Sequence, residues 1–170
     1  MSPAYSTAGT ISARLRPGSG PTDATFRVKR SAGGQVLMGD WDGDGAVTPA
    51  TFVNGHWVIY DAIVGRPRPA RSFDYGRASD VAVSGDWDGD GADGIGVRRG
   101  GIWHLVRNAS PGPTWRRFAF GAPRDARPVS GDWDGDGVTG IGVISRGGVG
   151  DSSDAHRWVA DAALRLRSHG

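Results

Sequence analysis

The heptapeptide Gly-Asp-Trp-Asp-Gly-Asp-Gly occurs three times, starting at Gly39, Gly85 and Gly131, at one constant interval (85 − 39 = 131 − 85 = 46). A period between 20 and 50 residues marks a solenoid, a propeller or another array of small units, none of which can bury its apolar face alone. The repeated element is also the chemically loaded one. It sets three carboxylates at alternate positions around two glycines, the way a short loop wraps a hard cation.

The repeat extends beyond the heptapeptide. Gly94-Ile95-Gly96-Val97 after the second copy matches Gly140-Ile141-Gly142-Val143 after the third. An aromatic strand follows, Ile102 to Val106, matching His56 to Tyr60, and then a turn rich in Pro and Gly. Phe118-Ala119-Phe120-Gly121 corresponds to Phe73-Asp74-Tyr75-Gly76 and alternates with the period of a half-buried strand. Val81 to Ser84 and Arg127 to Ser130 lead into the next copy. Each unit therefore carries four short strands with turn residues between them. The reading is an N-terminal tail over 1–8 and a repeat domain over 9–170. The domain divides into a half-unit 9–38, repeats 39–84 and 85–130, and a partial repeat 131–170. Within the half-unit, Thr10 to Arg16 fits the third strand of a unit and Ala24 to Arg30 the fourth. Over 155–168, Trp158, Ala160, Ala162 and Leu164 alternate as in a strand, while the Ala/Leu/Arg content also suits a capped helix.

The expected fold is all-β: a β-propeller of four-stranded blades, each about 46 residues, with about three blades per chain. Propellers have 4–8 blades. Three would close poorly on themselves, so completion by self-association or by strand exchange between termini is expected, a dimer giving six blades. Composition agrees. Gly is 29 of 170 residues and hydrophobic content is 38%, which suits short strands and tight turns. Cys is absent, which excludes disulfides, thiolate metal sites and cysteine nucleophiles. No apolar run is long enough for a membrane span, and no signal peptide is visible at Met1 to Thr10.

Charge is segregated. All 18 acidic residues are Asp, and nine of them lie in the three loops, against 20 basic residues. Such clustering is unfavourable unless a cation neutralises it. Numbered from the first Asp, positions 1, 3 and 5 are Asp40, Asp42 and Asp44; Asp86, Asp88 and Asp90; and Asp132, Asp134 and Asp136. Positions 4 and 6 are Gly, supplying the turns that let the carboxylates converge. The position-7 carbonyls of Ala46, Ala92 and Val138 would be further ligands by analogy with other calcium loops. The alternative is that the Asp side chains only cap the turn by accepting backbone N–H groups.

These loops, with the Ile-Gly-Val strand behind them, resemble the FG-GAP and VCBS repeats that form integrin-α-type propeller blades. The likeness covers about residues 9 to 145. It implies a calcium hairpin between the first and second strands of each blade, up to three Ca²⁺ per chain, and a non-catalytic role in adhesion or glycan recognition, secreted or at the cell surface. The family pattern has Asp at position 9, where this chain has Thr48, Gly94 and Gly140. Water must fill that place, and repeat two offers Asp93 at position 8 instead. Binding toward the millimolar end is expected. A structural or targeting module of a longer secreted protein, with no ligand of its own, is the second reading.

Trp41, Trp87 and Trp133 occupy position 2. They are either sugar platforms or packing wedges between blades, and their strict repetition favours packing. His56, His104, His156 and His169 form no triad or zinc spacing, so an enzyme is not expected. Arg14, Arg16, Arg66, Arg68, Arg71, Arg98, Arg99, Arg116 and Arg117 make the rest of the surface basic, but their alternation suits solvated strand faces better than a nucleic-acid groove.

Overall fold

The computed structural model describes residues 8–13, 24–29, 34–63, 68–121 and 127–144. The region 155–168, with its strand-or-helix alternatives, lies outside them. Among the described residues the protein is all-β, with twelve strands and no helix. In chain order these are β1 (Ala8–Ala13), β2 (Ala24–Lys29), β3 (Gln35–Gly39), β4 (Thr48–Val53), β5 (His56–Tyr60) and β6 (Pro69–Asp74). They continue with β7 (Val81–Gly85), β8 (Gly94–Arg99), β9 (Ile102–Val106), β10 (Arg116–Ala119), β11 (Arg127–Gly131) and β12 (Gly140–Ile144).

The strands form two four-stranded antiparallel meanders, β3-β4-β5-β6 and β7-β8-β9-β10, and two separate pairs, β1-β2 and β11-β12. Among the described residues no sheet closes into a barrel. The sheets are framed one strand earlier than the sequence repeats: the strand before each Asp loop heads its own sheet. The loop therefore joins the first and second strands, β3 to β4, β7 to β8 and β11 to β12.

Local chemistry fixes the register. Asn54 and Gly55, with φ of 53° and 91°, turn β4 into β5 in the left-handed conformation that two-residue hairpins demand. The Trp57↔Phe73 and Trp103↔Phe118 pairs hold equivalent places on the outer strands, although they lie 45 rather than 46 residues apart at the second member. The odd residue is in β6. Ile59 pairs with Arg71 but Tyr60 with Pro69, so Ala70 is an extra residue in a bulge.

The two four-stranded sheets and the β11-β12 pair stack in succession, and the core lies between them. Trp41, Ala50, Phe52, Trp57, Ile59 and Phe73 of the first sheet and its loop pack on Ala82, Ile95, Val97 and Val106 of the second. Val83, Trp87, Trp103 and Leu105 pack in turn on Ile141, with Val143 alongside. Trp57 and Trp103 are fully buried, and each satisfies its indole N–H on a backbone carbonyl, Tyr75 O and Phe120 O, both at 3.0 Å. A sheet with two apolar faces needs a neighbour on each side, and the 46-residue repeat supplies neighbours of matching shape.

Hydrogen bonds repeat between sheets as well. Ser84 Oγ donates to Met38 O at 3.1 Å, and Ser130 Oγ donates to Ser84 O at 2.7 Å. At the first junction Gln35 spans the gap, donating to Asp80 O and accepting from Ala82 N–H. Asp80 is itself buried and holds Arg99 with two bonds, Arg99 Nε to Oδ1 at 2.8 Å and Nη2 to Oδ2 at 2.7 Å. A paired, bidentate buried carboxylate of this kind fixes geometry.

Candidate metal centre

The three loops fold identically. In the first, Asp40 Oδ1 accepts the N–H of Gly43 (2.9 Å) and Asp44 (3.1 Å), and Oδ2 accepts that of Gly45 (2.8 Å). Asp86 receives Gly89, Asp90 and Gly91 in the same way, and Asp132 receives Gly135, Asp136 and Gly137. The position-5 carboxylates of Asp44, Asp90 and Asp136 each accept the N–H two residues on, from Ala46, Ala92 and Val138. Gly43 and Gly45 have φ of 74° and 86°, and their counterparts lie between 75° and 91°. A side chain at these positions would be strained, which is why the loop needs glycine twice.

The cap therefore uses positions 1 and 5, and in closing it gathers the position-3 carboxylate as well. Within each triplet, one oxygen from each Asp lies within 4.8 Å of the others. Oxygens bound to one calcium are separated by at most about 5 Å, so the spacing fits a single ion. Turn capping does not compete with this spacing: the cap itself draws the three carboxylates together.

The three sites differ electrostatically. Burial pushes the Asp88 carboxyl up, and neighbouring Asp90 adds to the rise. Arg107 opposes it, its Nε 3.3 Å from Asp88 Oδ2. Asp132 is instead held below the usual carboxylate value by the backbone N–H groups of Gly137, Gly135 and Asp136.

Thr48 lies at the start of β4, paired with Gly39, and its carbonyl accepts the Trp41 indole N–H at 2.9 Å. Its hydroxyl is what is left for a position-9 role. Asp93 corrects an expectation. Its carboxylate meets the Asp86 backbone of its own loop and also reaches the preceding one, accepting Asp40 N–H at 2.8 Å, while Asp93 N–H donates to Asp40 O at 2.5 Å. Thr139 repeats this on Asp86, with bonds of 3.0 Å and 2.6 Å. Position 8 is thus a clasp on the neighbouring loop. The first glycine of the heptapeptide makes room for it: a Cβ at Gly39 would stand 2.8 Å from the Trp41 ring and 3.0 Å from Asp93 Oδ2. The signal in the sequence is that position 8 is polar in repeats two and three but Val47 in repeat one.

Trp41 and Trp87 are each only 4% exposed, wedged into the cores between sheets, so neither has a face to offer a sugar. Trp133 is 50% exposed. Arg68, Arg71 and Arg117 are exposed, as their alternation suggests, but others are not free surface. Arg98 is buried beside the Trp103 ring, Arg99 is committed to Asp80, and Arg71 reaches Trp41 O and Ala109 O. Trp115 has the Arg107 and Arg116 guanidinium groups each 4.7 Å from its ring centroid. Burial, with Arg99 and Arg117 nearby, lowers the His104 pKa. His56 pairs with Asp74 at 2.6 Å on the surface. Among the described residues no helix is long and apolar enough to cross a membrane.

Comparison with protein-family models, with curated proteins and with solved structures finds no match, so the likeness to FG-GAP and VCBS repeats rests on the loop residues themselves.

Proposed function

We propose that the three loops bind calcium, and that the protein is a non-catalytic, calcium-stabilised β-propeller module for glycan or protein recognition, working outside the cell. One observation carries the reading: three loops, alike to the individual hydrogen bond, each bring three carboxylates to the spacing of one cation. The ligands are the Asp triplets at positions 1, 3 and 5, with the carbonyls of Ala46, Ala92 and Val138 and the Thr48 hydroxyl completing the shells with water. Millimolar calcium, which extracellular modules use, suits loops without a position-9 carboxylate. The radial arrangement is supported by the stacking of β3 on β7 and of β7 on β11.

Titration calorimetry of chelator-stripped protein tests the metal. Binding heats with up to three sites per chain and dissociation constants of about 0.1–1 mM are expected. Silence at several times that concentration, about 5 mM, refutes the reading. A glycan-array screen with and without calcium tests the recognition role. Calcium binding without any retained glycan or protein would favour the purely structural module, which the burial of Trp41 and Trp87 already supports over a ring of sugar platforms.

A further inference from the structure

The second loop carries something that the first lacks: a built-in cation. Arg107 follows β9 directly and places its Nε 3.3 Å from Asp88 Oδ2, the position-3 carboxylate of that loop. The same guanidinium stands 4.7 Å from the Trp115 ring centroid. One repeat earlier its place is taken by Asp61 (107 − 61 = 46), whose Oδ1 accepts the Arg68 N–H at 2.8 Å. Among the described residues no Arg or Lys pairs with Asp40, Asp42 or Asp44. Two loops with one cap thus differ in charge at the position that the cap does not use.

The backbone puts the arginine there. A Cβ at Gly94, position 9 of the second loop, would run into Val106 O and stand 2.6 Å from Arg107 O. The end of β9 therefore lies against the loop where a position-9 side chain would go, and Arg107 is the first residue beyond that end. The first loop keeps a side chain at position 9, that of Thr48. Asp93 does not set the two loops apart, since its charge acts on Asp86 and Asp40 both.

A guanidinium against one ligand carboxylate repels a divalent ion at that carboxylate and occupies one of its oxygens. An exposed ion pair is weak by itself, so it competes with the metal without forbidding it. Resting on the calcium reading above, we propose that Arg107 is the internal competitor of the second loop. Calcium binds there only by displacing the guanidinium from Asp88, and it binds more weakly than in the first loop. The Trp115 ring keeps the displaced side chain beside the loop, because an aromatic face attracts a guanidinium without a carboxylate.

The test isolates each loop within the full chain. A D42N/D134N variant retains loop two, and a D88N/D134N variant retains loop one. Calorimetric titration with calcium chloride then follows Arg107→Gln and Arg107→Lys in each. At loop two R107Q should tighten binding about three- to tenfold at low salt, while R107K should stay within about twofold of its parent. The gain should shrink toward none at about 1 M monovalent salt. At loop one R107Q should change binding by less than about twofold. Unchanged or weakened binding at loop two on R107Q, or equal tightening at both loops, overturns the proposal. So does a loop-two chain silent toward calcium with and without Arg107. The unaltered chain gives a second reading. Its Arg107 Nε–H signal in nitrogen-resolved NMR should shift as calcium is added. A signal that stays still while the amides of Asp90 and Gly91 move overturns the competitor. Absence of calcium heat in the unaltered chain removes the loop reading itself, whereas calcium heat with loop two indifferent to R107Q removes only this inference.

Discussion

Trp87 and Trp133 sit in identical heptapeptides, in loops with the same cap, yet one is 4% exposed and the other 50%. The difference lies in the sheet behind each loop. Trp87 is backed by the β11-β12 pair with Ile141 and Val143, whereas the described residues place no such sheet behind Trp133. Seven residues determine a loop completely, but whether its tryptophan is core or surface is decided by the neighbouring sheet. Hydrophobic burial is a property of contacts between repeats, and capping is a property within one.

Truncation should expose that contrast most strongly. Trp87→Ala opens a core cavity and is expected to cost about 3–5 kcal/mol, while Trp133→Ala should cost about 1–2 kcal/mol as long as no further sheet closes over it, and as much as Trp87→Ala where one does. Urea unfolding of the two variants measures the difference. Equal losses would mean that Trp133 is covered in solution, as ring completion on that side requires.

A smaller effect compares the two clasps. Asp93→Ala and Thr139→Ala each remove one side-chain acceptor for a neighbouring loop's N–H and should each cost about 1 kcal/mol. They part company with pH. Burial holds the Asp93 carboxyl above its ordinary 3.8, with Asp86 and Asp40 adding repulsion. A carboxyl raised on folding binds its proton more tightly in the native state. Its contribution is therefore fully present below pH 3.8 and is lost as pH rises through the raised value. Asp88 acts in the same sense, and Asp132, whose value is lowered, acts in the opposite one: its contribution is present above 3.8 and lost as pH falls. Asp93→Asn keeps an acceptor for Asp40 N–H without the charge. In metal-free buffer it should flatten the decline of stability with rising pH, whereas Thr139→Ala should leave that slope alone. Denaturant midpoints across the acid range check both.

Much of this was legible in the sequence because it is local. The alternation in Phe118-Ala119-Phe120 and the glycines at positions 4 and 6 each act within a few residues, and strands and loops fall where those signals place them. Near the segments Thr10 to Arg16 and Ala24 to Arg30, β1 and β2 pair with each other. What depended on a neighbour was not legible. Asp93 reads as a spare ligand for its own loop until the preceding loop is seen 2.8 Å away. Arg98 looks like a solvated strand residue until it is found buried beside Trp103 of the adjoining strand. Asp80, which anchors Arg99 and meets Gln35, carries no motif at all. The bulge at Ala70 shows as a one-residue slip between the aromatic pairs and gains meaning only from strand pairing.

The central claim separates from mere turn capping at position 3, since the caps use positions 1 and 5. The measurement is the melting temperature with and without about 5 mM calcium, for the unaltered chain and for a D42N/D88N/D134N triple variant. Calcium should raise the melting point of the first by several degrees and leave the second almost unmoved, whatever offset in chelator follows from losing three like charges and the Arg107–Asp88 pair. A melting point indifferent to calcium in the unaltered chain, or a rise of equal size in the triple variant, would contradict the account.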